Sequence, residues 1–286
     1  MPEVETLTQT FETHVAPELE LRVPAGTIEL DSHDAPETRV ELEPLDDAAA
    51  ELLSAVRVDL REGGRPRLVV EVPERRKPRL TIEHRERTFG FLHRTPQYAL
   101  RIVAPHGAEA SVRTKSADFE SRGRLGVLDL KSQSGDVEAR EVDGRAVVHT
   151  ASGDVEVGRV GGALELNTVS GDARVSHVGD EARVNTVSGD IDVRRADGAV
   201  ELNSVSGDQR LVVSGGGSVS LNSVSGDVSV GVVRGVDVWL DIRSMSGDTS
   251  SDLEDSEGPT AESASIELRA NTVSGDVRIH RTVATV

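Results

Sequence analysis

The chain has 286 residues, with 32 Lys and Arg against 50 Asp and Glu, and a formal net charge of −18 at pH 7. This charge argues against nucleic acid or anionic lipid as a general partner. The chain has no cysteine, which excludes disulfides, cysteine-ligated metal centres and thiol nucleophiles. Aromatic residues make up only 2 % of the chain, so the core must be filled by Val, Leu, Ile and Ala and is expected to be thin.

The first 110 residues are predicted to be rich in β-strands. Alternating apolar residues indicate five strands, and Gly63-Gly64 indicates a hairpin turn between the last two. Acidic residues followed by Ala and Leu predict one short helix over 46–53. Residues 25–30 look like a worn copy of the repeat that dominates the rest of the chain. The predicted strands cover 19–23, 27–30, 38–42, 56–60 and 68–72.

The N-terminus carries no features of an export signal. Residues 1–5 lack a basic region followed by an apolar one, and no stretch of 18 apolar residues occurs in the chain. We therefore expect a cytoplasmic protein, with any association with the cell envelope made through a partner.

Residues 74–94 depart from the acidic trend, because basic residues dominate there and two aromatic residues lie among them. We expect this segment to pack on the acidic body of the protein. Basic residues with interleaved aromatics also fit single-stranded nucleic acid, which is the alternative interpretation. The residues concerned are Arg75, Arg76, Lys77, Arg79, Arg85, Arg87, Arg94, Phe89 and Phe91.

The main signal is a tandem repeat that runs from about residue 111 to the C-terminus. The tripeptide Ser-Gly-Asp occurs eight times, and a degenerate copy stands at Ser116-Ala117-Asp118. The first four steps between copies are 18 residues long, and the later steps are 19, 21 and 28 residues. The copies begin at Ser134, Ser152, Ser170, Ser188, Ser206, Ser225, Ser246 and Ser274.

Each repeat unit alternates apolar and polar residues on both sides of Ser-Gly-Asp and then reaches a second turn rich in Gly and Asp, so it predicts strand, turn, strand, turn. An antiparallel meander and a β-solenoid both fit this pattern. Five units carry Asn three residues before the Ser, and only a solenoid stacks such residues directly on one another. This predicted Asn ladder comprises Asn167, Asn185, Asn203, Asn222 and Asn271.

The sequence therefore predicts an all-β, single-chain parallel β-solenoid with about 18 residues per coil. Crossovers between parallel strands are overwhelmingly right-handed, which favours a right-handed solenoid. Residues 1–110 would form a cap over the first coil, since an open edge strand invites pairing with other chains. Residues 111–286 would form the repeat array, with an acidic insert over 250–264 as a solvated loop leaving the last coil.

The tandem Val-Ser-Gly-Asp-Val units, with the C-terminal run from Val238 to Ile279, resemble a bacterial family of β-strand-repeat proteins. Its members are domains of unknown function that usually carry the name putative adhesin. The resemblance covers most of the chain. It implies the solenoid architecture and a role in presenting a repetitive surface to a protein or cell-envelope partner.

The repeated aspartates form the strongest candidate site, because stacking would place them along one edge of the solenoid. We expect each carboxylate to accept N–H groups of its own turn, aided by the nearby Ser and Thr hydroxyls. The alternative is calcium shared between coils, as in Gly- and Asp-rich β-rolls. This predicted Asp ladder comprises Asp136, Asp154, Asp172, Asp190, Asp208, Asp227, Asp248 and Asp276.

Catalytic chemistry finds little support in the residue pattern. The eight histidines are scattered without metal-ligand spacing, and a serine nucleophile has no use in eight copies. We therefore expect a non-enzymatic scaffold or binding protein without a cofactor. The alternatives are a calcium-dependent adhesive module that uses the Asp ladder and a nucleic-acid binder that uses residues 74–94.

Overall fold

The computed structural model describes residues 6–73, 95–253 and 264–283. Its repeat units stack as a parallel β-solenoid in which each coil adds one strand to each of two sheets. In the regular part, equivalent residues of neighbouring coils are 18 apart, as Val155 beside Val137 shows. The predicted fold class, with its β-rich N-terminal cap and one short helix, is confirmed. The right-handed sense stays a prediction.

The N-terminal part contains one α-helix, which begins where the carboxylate of Asp46 accepts the N–H of Ala49 at 2.7 Å. This bond satisfies one of the unpaired donors at the helix start. A single 3-10 turn, Leu53–Ala55, follows the helix. The elements in chain order are β1 (Leu7–Glu12), β2 (Glu18–His33), β3 (Glu37–Pro44), α1 (Asp47–Leu52), β4 (Arg57–Arg61), β5 (Arg67–Glu71), β6 (Tyr98–Pro105) and β7 (Ala108–Lys131).

Parallel stacking already begins in this N-terminal part. Strand β2 runs parallel to β7 over most of its length and places Gly26 beside Ala117, the Gly position of the degenerate repeat copy. The expected worn copy of the repeat over 25–30 is thus confirmed. Antiparallel strands then cover this end of the stack, with β3 between β1 and β6, and β4 beside β5. The domain boundary between residues 110 and 111 stays a prediction.

The regular array alternates between its two sheets along the chain. Strands that end at the Ser of Ser-Gly-Asp form the first sheet, and strands that follow the Asp form the second sheet. The strands in chain order are β8 (Val137–Val142), β9 (Ala146–Ser152), β10 (Val155–Val160), β11 (Leu164–Ser170), β12 (Ala173–Val178), β13 (Ala182–Ser188), β14 (Ile191–Ala196), β15 (Val200–Ser206), β16 (Gln209–Val213), β17 (Gly217–Ser225) and β18 (Val228–Val233).

The core lies between the two sheets and consists mainly of Val, Leu, Ile and Ala, as the scarcity of aromatic residues predicts. Among the described residues, Tyr98 and Phe119 are the rings that are fully buried. Burial raises the pKa of the Tyr98 hydroxyl, which donates to the carbonyl of Ala49 at 3.1 Å. One polar residue, Gln209, occupies an interior position where neighbouring coils carry Ile191 and Val228. Its amide donates to the carbonyl of Asn222 at 2.9 Å.

The last two coils do not stack in chain order. The coil that contains Ser274 lies directly on the coil that contains Ser225, and the coil that contains Ser246 lies outside it. The chain therefore builds the outer coil first and then returns to insert the final one. The strands are β19 (Val236–Ser246), β20 (Thr249–Ser251), β21 (Ala264–Ser274) and β22 (Val277–Thr282).

This exchanged order of the last two coils explains the repeat steps of 21 and 28 residues near the C-terminus. The long connection runs from the outer coil back to the inner one and is not a loop that simply extends from the last coil. Ser250 and Ser251 lie in β20 and Ala264 begins β21, so the connection is shorter than the predicted insert over 250–264. Residues 254–263 of that insert lie outside the described residues.

Candidate functional site

The Ser-Gly-Asp turns bring the backbones of neighbouring coils very close together. Gly189, in the middle of the array, has φ of +140°, a conformation that side chains with a Cβ rarely adopt. A Cβ built there would lie 2.2 Å from the carbonyl oxygen of Gly171 in the adjacent coil. The turn therefore requires glycine for two reasons, the backbone conformation and the contact between coils.

The Asp ladder is a continuous series of hydrogen bonds between coils. The Oδ1 atom of each Asp accepts the backbone N–H of the Asp in the next coil, as for Asp172 and Asp190 at 3.0 Å. The prediction that each Asp accepts N–H groups of its own turn is wrong, because the Asp carboxylate points at the following coil. The same bond joins Asp118 to Asp136, Asp136 to Asp154, Asp154 to Asp172, Asp190 to Asp208, Asp208 to Asp227, Asp227 to Asp276, and Asp276 to Asp248, at 2.8–3.0 Å.

The second carboxylate oxygen is available to arginines of the second sheet. Arg174 lies 2.6 Å from Asp172 Oδ2 and 3.7 Å from Asp154 Oδ2, and Arg210 lies 3.3 Å from Asp208 Oδ2. These cations offset the repulsion between stacked carboxylates. Within residues 6–73, 95–253 and 264–283, no group of three or more His, Cys, Asp or Glu side chains could hold a metal ion. Calcium binding by the Asp ladder stays a prediction.

The Asn ladder occupies the outward face of the first sheet. The Nδ2 atom of each Asn donates to Oδ1 of the Asn in the preceding coil, at 2.8–3.0 Å. Asn271 donates to Asn222, so the ladder passes from β17 directly to β21. At the other end, Asn167 lies 3.2 Å from the ring nitrogen Nδ1 of His149.

The Ser and Thr residues two positions before each Ser-Gly-Asp point into the core. In the early coils their hydroxyls donate to the carbonyl of the turn serine, as Thr150 does to Ser152 at 2.9 Å. Farther along, the hydroxyls of Thr186, Ser204 and Ser223 have no hydrogen-bond partner among the described residues. Contrary to the prediction, these hydroxyls do not support the aspartates. Thr150, for example, is buried, whereas the carboxylate of Asp154 is half-exposed.

A third series, which sequence analysis missed, is formed by exposed valines. The residue just before each Ser-Gly-Asp lies on the outward face of the first sheet, beside the Asn ladder. We call this series the Val ladder. Its valines are 44–53 % exposed, and Met245 of the outermost coil is 84 % exposed. The Val ladder comprises Val169, Val187, Val205, Val224 and Val273 in stacking order.

The second sheet carries an open groove of about 990 Å³ on its outward face, on the other side of the core from the Val ladder. We call it the Arg groove, because it is lined by Arg159, Arg194, Arg195 and Arg210, together with His177, His280, Asp192 and Asp197. Hydrogen bonds from Ser214, His177 and Arg195 outweigh the desolvation of Asp197 and lower the pKa of its carboxyl to about 2. Asp197 is therefore ionised at neutral pH, and its charge is matched by its neighbours.

The Arg groove could not be predicted from the sequence, because its residues are not repeated and come from several coils. The histidines are scattered along the sequence, yet His177 and His280 line the same groove. The basic segment over 74–94, which is expected to pack on the acidic body of the protein and has nucleic-acid binding as its alternative role, lies outside the described residues. Within the described part of the chain, no helix is both long enough and apolar enough to cross a membrane.

The stacked coils, the facing sheets and the side-chain ladders define the class of protein as a tandem-repeat β-solenoid. The chain belongs to the Toastrack DUF4097 family, whose model matches residues 54–280. These are domains of unknown function, and the resemblance to the putative-adhesin family is confirmed. No curated protein matches the chain.

Several solved structures are similar to this chain. A putative adhesin of Bacteroides fragilis is 12 % identical, with 98 % of this chain and 99 % of that chain covered and a TM-score of 0.41. A putative adhesin of Parabacteroides distasonis is 11 % identical, with 96 % and 98 % covered and a TM-score of 0.40. A putative lipid binding protein of the same species is 14 % identical, with 97 % and 96 % covered and a TM-score of 0.34.

Proposed function

We propose that this chain is a non-enzymatic binding scaffold that presents a repetitive surface to a protein or cell-envelope partner. The observation that carries the proposal is the Val ladder. Large apolar side chains that are exposed singly need no explanation, whereas a contiguous apolar patch on a surface marks an interaction site. Here five half-exposed valines stand in one line on five successive coils.

The surroundings of the Val ladder support this role. The Asn ladder lies beside it, about 7 Å away at the spacing of alternate residues in a strand. Neither ladder carries a charge, although the whole chain has a net charge of −18. Five coils at about 4.8 Å per coil give a flat, uncharged strip on the order of 24 Å long. Such a strip can approach an acidic partner surface without the repulsion that the rest of the protein would cause.

The repetition itself favours binding over catalysis. An enzyme concentrates different groups at one place, where a nucleophile, a base and a stabilising group meet the substrate. In this chain the same Ser, Gly and Asp recur in every coil, and their polar atoms hold neighbouring coils together. Several identical weak contacts along one partner would instead add up to a firm attachment.

Envelope co-sedimentation of the purified protein tests the proposal. The variant Val187→Ser/Val205→Ser breaks the Val ladder, and Val15→Ser/Leu45→Ser removes two equally exposed apolar side chains elsewhere. Burying a half-exposed valine stabilises a complex by about 1 kcal/mol, so the ladder variant should bind the envelope fraction of the native cell roughly tenfold to thirtyfold more weakly.

The control variant should sediment like the unmodified protein. Equal sedimentation of the ladder variant and the unmodified protein would overturn the proposal. Each measurement is made in millimolar calcium and again in EDTA. If the ladder variant and the control variant both bind the envelope fraction in calcium and both lose this binding in EDTA, the result would favour the calcium-dependent adhesive module over the Val ladder.

A further inference from the structure

The Arg groove lies on the second sheet, away from the Val ladder, and nothing in the proposed function uses it. Its strands β10, β12, β14, β16, β18 and β22 belong to successive coils. Its volume of about 990 Å³ is at the upper end of the range of small-molecule sites. The groove therefore has room for a ligand, and its chemistry indicates which kind.

The concave shape comes from a break in the repeat. The pairing of β14 with β16 shifts by one residue, so that Ala196 stands beside Val213. Arg194 and Arg195 occupy the shift itself, between Val193 and Ala196, and both line the groove. On the next coil the single residue Val212 stands opposite these two arginines, and Gly231 stands beside Val212 on the coil after that. Large side chains thus border a floor of small ones.

Gly231 keeps the floor of the groove open. A Cβ built at Gly231 would lie 3.3 Å from Nε2 of His280 and 3.3 Å from Cγ2 of Val212. The backbone of Gly231 has no left-handed conformation that would itself demand glycine. Glycine at position 231 therefore leaves open the space that a side chain would fill, next to the ring of His280.

The charges of the groove are unlike those of the whole chain. Four arginines and two histidines line it against two aspartates, in a protein of net charge −18. Arg195 is paired with Asp197 at 2.9 Å, and Arg210 is paired with Asp208 at 3.3 Å. Arg159 and Arg194 have neither an ion pair nor a hydrogen bond with any residue of the described chain. Two unpaired guanidinium groups consequently face one concave space.

We propose that the Arg groove binds a small molecule with two or more anionic groups, carboxylate or phosphate, held by Arg159 and Arg194. The guanidinium group donates in a planar fork that matches both kinds of oxyanion. Arg159 and Arg194 stand on β10 and β14, two coils apart, so their backbones are about 10 Å from each other. This separation suits a ligand with an anionic group at each end, or a compact polyanion that both arginines contact from opposite sides.

Isothermal titration calorimetry with two probes tests this site. Citrate presents carboxylates and inorganic pyrophosphate presents phosphates. The probe that binds with the lower Kd therefore shows which of these two anionic groups the groove prefers. The test variant is Arg159→Gln/Arg194→Gln. The matched control is Arg61→Gln/Arg234→Gln, which removes two exposed arginines that also lack partners among the described residues. Both variants change the net charge equally, so a general electrostatic effect would weaken binding equally in both.

We expect at least one probe to bind saturably with one site per chain, and the groove variant to raise Kd at least tenfold while the control raises it less than twofold. Equal weakening in the two variants, or no saturable binding of either probe, would overturn the proposal. Amide chemical shifts of the unmodified protein give a second measurement that needs no variant. Shifts on addition of the probe should centre on Ser229 and Gly231, and shifts confined to residues outside the groove would also overturn it.

Discussion

Replacement of Gly189 by alanine should destabilise the solenoid strongly, because the turn requires glycine for two separate reasons. A left-handed or otherwise sparsely populated backbone conformation costs a residue with a Cβ about 1–3 kcal/mol. Forcing an atom into a closely packed space adds about 1–3 kcal/mol. The new Cβ would lie 2.2 Å from the carbonyl oxygen of Gly171, which is backbone and cannot rotate away. We therefore expect a loss of about 2–6 kcal/mol in the free energy of unfolding.

Three further glycines separate the two causes. Gly235 has φ of +87° but nothing within 4 Å of a Cβ built there, so Gly235→Ala measures backbone strain alone. Gly158 lacks the left-handed conformation, but its Cβ would lie 2.2 Å from the carbonyl oxygen of Arg140, so Gly158→Ala measures the contact alone. Gly64 has neither feature, and Gly64→Ala should change stability by less than about 0.5 kcal/mol.

Thermal and urea unfolding, followed by the far-ultraviolet circular dichroism signal of the β-sheets, provides the assay. Each kcal/mol shifts Tm by about 2–4 °C in a domain of this size class, so Gly189→Ala should melt on the order of 10 °C below the unmodified protein. Gly235→Ala and Gly158→Ala should fall between it and Gly64→Ala. If Gly189→Ala and Gly64→Ala melted at the same temperature, close stacking of the Ser-Gly-Asp turns would be refuted.

Two further predictions concern single carboxylates. Asp172→Ala removes the acceptor of the Asp190 N–H and should lower the free energy of unfolding, measured with urea, by about 1–3 kcal/mol. Asp172→Asn keeps an acceptor oxygen and should lower it less. Equal losses in the two variants would contradict the bond between coils. The pKa of Asp197 falls from 3.8 to about 2 on folding, so its ionised form stabilises the protein above pH 3.8 and this contribution disappears as the pH falls towards 2. After allowance for solvent screening, Asp197→Asn should therefore be about 1 kcal/mol less stable than the unmodified protein at pH 7. Near pH 2 it should be no less stable. A stability difference that persisted at pH 2 would contradict the lowered pKa of Asp197.

The stacking of the coils could be predicted from the sequence because each coil repeats the same physical requirements. An Asn that donates to the Asn below it must recur at the same place in every coil, and so must a Gly that touches the backbone of the next turn. These requirements leave a period that can be counted along the chain. The partners of the Asp carboxylates could not be predicted in the same way, because the choice between the turn of origin and the next coil depends on side-chain direction.

The order of the last two coils was missed, although the sequence holds a signal for it. Three residues before Ser274 stands Asn271, whereas three residues before Ser246 stands Arg243. A continuous Asn ladder requires Asn271 to lie beside Asn222, and this places the final coil inside the preceding one. Arg243 then falls at the outer end, where a side chain has a neighbour on only one side. The spacing between repeat copies, by contrast, suggested only an insert.

The outward rows of the solenoid differ in how much their residues vary, and this difference bears on where specific sites can arise. On the first sheet, the Asn ladder and the Val ladder keep one residue type from coil to coil, and the Asn ladder is also bonded from each coil to the next. The outward row beside them varies, with Glu165, Arg183 and Glu201 on successive coils. A surface of identical positions offers a partner many equivalent contacts and no single preferred one.

Among the described residues, the outward face of the second sheet carries no side-chain ladder of this kind. Glu156, Arg174, Asp192 and Arg210 occupy successive equivalent positions there, so charge and size change from coil to coil without loss of stacking. A site for one particular ligand needs such variation together with a local break in the register. The chain has both between β14 and β16, where the Arg groove lies. We therefore expect substitutions in the Val ladder to weaken attachment by a similar factor at whichever coil they fall, and substitution of Arg159 or Arg194 to weaken ligand binding much more than substitution of other outward residues of the second sheet.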